Sequence, residues 1–247
     1  MTKKIILAAF IATLAFTACH KDPETQTVTR LASRAFHNST SVLPLHGYST
    51  YTWDNGNLMM SSDSVVTPVV TIVNYENYYY ENGNLVKMEE ASGEWEKYFS
   101  YENGRLKTFL EMQDGDSVTW GSITAYTEDG LIQEFLAENA FGKKTQWNIT
   151  WTNGDATEVT QQILAPADVA NTIVTPYSYD NKPSVYTGFP VACVILEDNG
   201  HKVAQYLSKH NAINEGYTYN YNDKDLLISV VAENDTTYYN YIEQTVQ

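Results

Sequence analysis

Aromatic and aliphatic residues alternate with polar ones along most of this chain, and the alternation pauses at Asn-Gly. The pattern is clearest in Tyr51-Thr52-Trp53-Asp54-Asn55-Gly56-Asn57-Leu58, Tyr78-Tyr79-Tyr80-Glu81-Asn82-Gly83-Asn84-Leu85 and Phe99-Ser100-Tyr101-Glu102-Asn103-Gly104-Arg105-Leu106. A period of two describes a strand with one packed face. Asn-Gly supplies the two positive-φ residues that a type I′ turn requires. Each copy therefore predicts a β-hairpin.

Further copies are less regular. They are Tyr126-Thr127-Glu128-Asp129-Gly130-Leu131, Ile149 to Ala156, Tyr177 to Pro183 and Tyr219 to Leu226, with Tyr239-Asn240-Tyr241 as a last half-unit. The second aromatic of each unit marks the repeat: Trp53, Tyr80, Tyr101, Tyr126, Trp151, Tyr179 and Tyr221. The long interval before Tyr221 leaves room for one degenerate unit around Val194 to Val203, with Asp198-Asn199-Gly200 as its turn. Seven to eight hairpins predict about fourteen strands, none able to bury an apolar face alone.

The third unit predicts the faces. A two-residue turn at Asn103-Gly104 sets Glu102 opposite Arg105, Tyr101 opposite Leu106 and Phe99 opposite Thr108. Phe99, Tyr101, Leu106 and Leu110 then share one face, and Ser100, Glu102, Arg105 and Lys107 the other. A Glu102–Arg105 cross-strand ion pair would contribute about 0.2–1 kcal/mol. In the first unit Tyr51, Trp53, Leu58 and Met60 fall together. Leu131 to Ala140 and Val203 to His210 contain helix formers, but neither is long or well capped. The expected class is all-β: an antiparallel meander of repeated hairpins, curled into a barrel or half-barrel.

The first residues carry an address. Lys3-Lys4 followed by apolar Ile5 to Ala15 is too short for a membrane span and reads as a secretory leader. Phe16-Thr17-Ala18-Cys19 resembles a lipobox, whose cysteine receives the lipid anchor. Residues 1–18 are thus expected to be a lipoprotein signal peptide, 19–42 the lipidated Cys19 with a flexible tether, and 43–247 a single β-repeat domain. His20-Lys21-Asp22-Pro23-Glu24 partly matches the surface-export signal of Bacteroidetes lipoproteins. The expected place is the outer membrane, at the cell surface or on the periplasmic face.

Composition sharpens this picture. Fifteen basic and 30 acidic residues give −15, and loss of Lys3 and Lys4 leaves 13 against 30, or −17. A chain this acidic offers nucleic acid no basic patch. With Cys19 lipidated, Cys193 has no disulfide partner, and Val191-Ala192-Cys193-Val194-Ile195-Leu196 places it in a core.

The repeat also resembles known families. Phe99 to Leu106 is similar to the tyrosine-aspartate repeat of Rhs-type toxins and teneurins, which has one more residue between acid and glycine. Closer is a Bacteroidetes lipoprotein family of unknown function, described as porin-like in fold. Its order of lipobox, tether, tyrosine-rich hairpins and a less regular region before a last strand pair is matched here. That region is Asp180-Asn181-Lys182-Pro183 through Leu207-Ser208-Lys209-His210-Asn211, ahead of Tyr217-Thr218-Tyr219-Asn220-Tyr221. The resemblance implies a curled antiparallel sheet and carries no catalytic residue.

Motifs for chemistry are few. Glu89, Glu90, Glu94 and Glu96 cluster between hairpins, and a glycosidase needs two carboxylates across a cleft. A solvated acidic loop explains them as well. His20, His37, His46, His201 and His210 show no zinc spacing. Asp114-Gly115-Asp116 and Glu197 to Gly200 lack a full calcium ligand series. No nucleophile elbow or phosphate-cradling glycine loop suggests a cofactor.

Aromatics remain. Nineteen tyrosines and five tryptophans go beyond ordinary core needs. Tyr79 should point away from the packed face, and Trp95, Trp120 and Trp147 lie outside the repeat anchors. Such rings stack on sugars or anchor partners, or they fill the concavity of a curled sheet. The leading expectation is a non-catalytic glycan- or protein-binding module, with Tyr79, Trp95, Trp120 and Trp147 as candidate contacts. The alternative is an extracellular polysaccharide-degrading enzyme using paired carboxylates. A membrane-embedded barrel would need an outward apolar band, and here charges fall on the second face of most units.

Overall fold

The computed structural model describes residues 26–38, 45–67, 70–166, 171–196, 199–233 and 235–246. The leader and Cys19 lie outside these residues. The first strands are β1 (Gln26–Asn38), β2 (Leu45–Asp54), β3 (Asn57–Val66), β4 (Thr71–Glu81), β5 (Asn84–Glu90) and β6 (Trp95–Glu102). There follow β7 (Arg105–Gln113), β8 (Asp116–Tyr126), β9 (Ile132–Asn139), β10 (Lys144–Thr152), β11 (Asp155–Ala165) and β12 (Thr172–Pro176). The last are β13 (Ser178–Pro183), β14 (His210–Ile213), β15 (Tyr217–Tyr221), β16 (Leu227–Ala232) and β17 (Asp235–Val246). One 15-stranded antiparallel sheet runs β12 to β1 in reverse sequence order and continues through β17, β16 and β15, while β13 and β14 pair separately.

The turns follow from local chemistry. Asn55, Asn82, Asn103 and Asn153 have φ of 43°, 50°, 52° and 54°, and the glycine after each is also positive. Asp114-Gly115 (φ 51° and 86°) is a hairpin turn of the same kind.

Beyond the turn the pairing slips by one residue. Tyr101 faces Leu106, but Ser100 faces Thr108, so Lys107 is a bulge. The same slip falls at Trp53, Tyr80, Tyr126, Trp151 and Tyr221. A bulge reverses the alternation on its own strand. Phe99 therefore lies opposite Phe109, not Thr108, and Phe109 is buried where Leu110 was expected. In the first unit Ser61, not Met60, follows Leu58 inward. The ion pair also changes: Glu102 is met by Lys107 at 3.4 Å, while Arg105 lies over the Tyr126 ring at 5.2 Å.

The anchor aromatics join one hairpin to the next. Pairing of β3 with β4 begins at Met60, and of β5 with β6 at Lys87. The carbonyls of Leu58 and Leu85 therefore have no paired strand on that side. The Tyr80 hydroxyl donates to Leu58 O and the Tyr101 hydroxyl to Leu85 O, both at 2.9 Å. Tyr126 bonds Leu106 O in the same way, and Trp53 Nε1, Trp151 Nε1 and the Tyr241 hydroxyl serve Leu31, Ile132 and Leu227 at 2.8–2.9 Å. Each such bond contributes about 0.5–1.5 kcal/mol net.

Two expectations need correction. Residues 26–38, assigned to the tether, form β1, which pairs with β17 along nearly its whole length and with β2 over residues 33–38. The folded region thus begins by Gln26 rather than Leu43. Among the described residues around Val194 to Val203 no hairpin forms. That segment instead holds a 3-10 turn (Val191–Cys193) and the helix α1 (Asn199–Leu207).

This segment fills the curl of the sheet. Phe189 packs edge-on against Tyr51 and Trp53 of β2, both at 5.0 Å between ring centroids. His201 meets Trp147 of β10 at 5.4 Å, and Gly200 is wedged against Trp147 and Val159. Cys193, Val194, Ile195, Val203 and Ala204 are buried in the common core. One short segment can touch β2, β10 and β11 together only if the sheet wraps around it. The result is a half-barrel with a plug. Among the described residues no backbone ladder joins the edges β12 and β15. Side chains span the gap at β13: Tyr221 donates to Asp180, and Lys182 Nζ reaches Asp225 at 2.7 Å.

Candidate binding groove on the inner face

The inner face of the sheet has two halves. Near the Asn-Gly turns it presents Leu58, Tyr78, Leu85, Phe99, Leu106 and Ile123 to the plug. Toward the opposite end the same period-two positions become polar. On β4 the series Tyr80, Tyr78 continues to Glu76 and Asn74, and on β6 Tyr101, Phe99 continues to Lys97 and Trp95.

These polar positions line a chain of hollows. Asp63, Asn74, Glu76, Glu90, Trp95, Lys97 and Glu111 surround one of about 330 Å³. A second, about 340 Å³, takes in Arg34, Phe36, Ser49, Thr237 and Tyr239, and shares Asp63 with the first. A third, about 230 Å³, shares Thr237 and Tyr239 with the second and extends along Tyr186, Gln205, Asn211 and Tyr219. Together they form a groove that runs from β14, β15 and β16 across β17 and β1 to β7.

The charges in the groove are ordered. Lys97 Nζ binds Glu76 Oε1 at 3.1 Å, and the Tyr78 hydroxyl donates to Glu76 Oε2 at 3.2 Å. Burial pushes the Glu111 carboxyl up, and nearby Lys97 offsets part of that effect. Ser49 Oγ donates to Asp63 and accepts from the Arg34 guanidinium at 3.4 Å. The phenols of Tyr51, Tyr186, Tyr206 and Tyr239 lie within electrostatic range of Arg34. Burial raises the pKa of Tyr51 and Tyr239, which keeps those hydroxyls protonated and able to donate.

The four candidate aromatics end up in three places. Trp95 lines the groove. Tyr79 and Trp120 lie on the outer face, 45% and 37% exposed. Tyr79 donates to Glu89 at 3.0 Å, and Trp120 borders a shallow hollow with Leu136, Glu138 and Lys144. Trp147 is a correction: it is 2% exposed, stacked on Phe135 at 6.2 Å, and fills the core. No ligand can reach it while α1 covers it.

The carboxylate cluster also divides. Glu89 and Glu96 face outward onto Lys87 at 3.3 and 2.6 Å, and Glu94 accepts from Gln113 at 3.1 Å. Glu90 alone joins the groove. Among the described residues no three His, Cys, Asp or Glu side chains converge to hold a metal. The groove residues that sequence reasoning missed were Arg34, Asp63, Glu76, Lys97 and Glu111. Extending the alternation backwards from Tyr80 and Tyr101 finds Glu76 and Lys97 but not the others, which lie beyond bulges or on β1.

No family model matches the chain, and no curated protein does. Among solved structures it is similar to the crystal structure of a porin-like protein from Bacteroides uniformis, with a TM-score of 0.56 at 11% identity, over 86% of this chain and 96% of that one. The shared feature is the fold.

Proposed function

We propose that this chain is a cell-envelope lipoprotein, anchored through Cys19, that binds a saccharide in the groove on its inner face without catalysing a reaction. The observation that carries this reading is Trp95 set among Asn74, Glu76, Glu90, Lys97 and Glu111 in a hollow of about 330 Å³. An indole face packs against the C–H face of a sugar ring, while carboxylates and an amide take its hydroxyls. The plug occupies the apolar half of the interior, so the ligand is confined to the polar half.

Binding is favoured over hydrolysis by the state of Glu76. A glycosidase pair needs two carboxylates free to act across roughly 5–10 Å. Glu76 is instead held by Lys97 and Tyr78.

The outer face supports a barrel standing outside the bilayer. It carries the Lys87–Glu96 and Lys87–Glu89 pairs and the hydroxyl pairs Thr50–Ser62 and Ser100–Thr108. Hydrocarbon does not solvate such groups, so a lipid on Cys19 is the attachment this surface suits.

The test is a thermal-shift screen of the unlipidated chain from residue 20 against plant, mucin and bacterial glycans. A bound glycan at about 100 times its dissociation constant raises the midpoint by several degrees, since it stabilises by about 2.7 kcal/mol. Trp95→Ala abolishes the shift. A shift that survives Trp95→Ala, or no shift with any glycan, overturns the reading.

A further inference from the structure

We infer that Arg34 forms an anion subsite at one end of this groove, and that the ligand is an oligosaccharide bearing a single carboxylate, a uronate, on an otherwise neutral chain. The inference rests on the saccharide reading of the groove and adds the chemistry that selects the ligand.

Arg34 is a permanent charge on the inner face, half-buried and lining the hollow of about 340 Å³. Among the described residues its side-chain hydrogen-bond partner is Ser49 Oγ at 3.4 Å, a long contact made through one of its five donors. The carboxylate linked to it through that hydroxyl, Asp63, already accepts from Ser49 and lines the same hollow. The phenols of Tyr51, Tyr186, Tyr206 and Tyr239 lie within electrostatic range of it, and Tyr239 shares its hollow. A guanidinium held in such surroundings gains most from a planar, bidentate acceptor. A carboxylate entering here meets Arg34 with the hydroxyls of Tyr239 and Thr237, which line the same hollow, as further donors.

The rest of the groove sets where that charge can go. Asp63, Glu76, Glu90 and Glu111 line the Trp95 end against Lys97 alone, whose ammonium is committed to Glu76. A uniformly acidic polymer is repelled there. A neutral ring is not: it stacks on Trp95 and donates its hydroxyls to the carboxylates. Strands β2 to β5 separate Arg34 from Trp95, roughly 24 Å along the sheet. Only an oligosaccharide engages both ends, with its uronate at Arg34.

Isothermal titration with xylo-, galacto- and manno-oligosaccharides, each carrying one terminal uronate, tests this on the unaltered protein. Each is compared with the same molecule after reduction of its carboxyl to a primary alcohol. The acidic form of at least one binds roughly tenfold or more tighter than its reduced form, as a charge-assisted hydrogen bond predicts. Arg34→Gln removes the difference between the acidic and reduced forms, whereas Trp95→Ala weakens both and keeps the difference. Equal binding of the two forms overturns the anion subsite but leaves the saccharide groove standing. Binding of neither form overturns both. Should Arg34→Gln fail to fold, the comparison of acid with alcohol on the native chain decides alone.

Discussion

The Tyr101 hydroxyl lies 2.9 Å from the carbonyl oxygen of Leu85, on the neighbouring hairpin, and takes the place of a missing strand partner. Burial, with smaller effects from Cys193 and Tyr126, pushes this phenol up to about 12, so it remains a donor at any working pH. Tyr101→Phe strands the Leu85 carbonyl and costs about 1–3 kcal/mol in urea unfolding. Tyr79→Phe removes a hydroxyl that bonds only the outward Glu89, and stays within about 0.5 kcal/mol of the parent. Equal effects at both positions would refute the interlock.

Glu111 makes stability depend on pH in an unusual sense for a carboxylate. Its folded pKa is raised by burial above the unfolded value, so between the two the folded state holds the proton and the unfolded state does not. The slope of stability against pH is then negative, and this group's contribution grows as pH falls through its folded pKa. Glu111→Gln removes that gain on acidification and raises stability at neutral pH. Urea midpoints measured from pH 7 down to pH 4 on both chains check the sign.

The plug is predicted to loosen on the smallest change. A Cβ at Gly200 would lie 2.5 Å from Trp147 Cε3, so Gly200→Ala forces α1 off β10 and costs about 1–3 kcal/mol. Cys193, on the same plug segment, is buried in the same core. In a chain lacking Cys19, thiol-reagent kinetics report the displacement: Cys193 reacts slowly in the parent and markedly faster in Gly200→Ala.

How much was legible follows from where each signal sits. Asn103-Gly104 defines its turn by itself, and the flanking Tyr101 and Leu106 pair as the alternation requires. One residue later the reading fails, because nothing in Lys107 announces a bulge, and every face assigned beyond it is reversed. β1 was missed because its pairing is remote: Ser33 bonds Asn240 across 207 positions. Helix α1 has no acidic residue in its first turn and no basic one in its last. It is stabilised by burial of Val203 and Ala204 against the sheet, a tertiary effect that a nine-residue window does not reveal. The groove was hidden for both reasons, since Arg34 comes from β1 and Asp63 and Glu111 lie past bulges.

The pairing of Gln26 with Val246 brings the two ends of the folded region together, beside Gly56 and the row of Asn-Gly turns. Only residues 20–25 separate Gln26 from Cys19, a leash that spans at most about 25 Å. With the proposed lipid on Cys19, the molecule would stand on its turns, with the plugged half of the half-barrel as its base. The mouth of the groove would then point away from the membrane, one half-barrel's height above the lipid, open to whatever diffuses on that side.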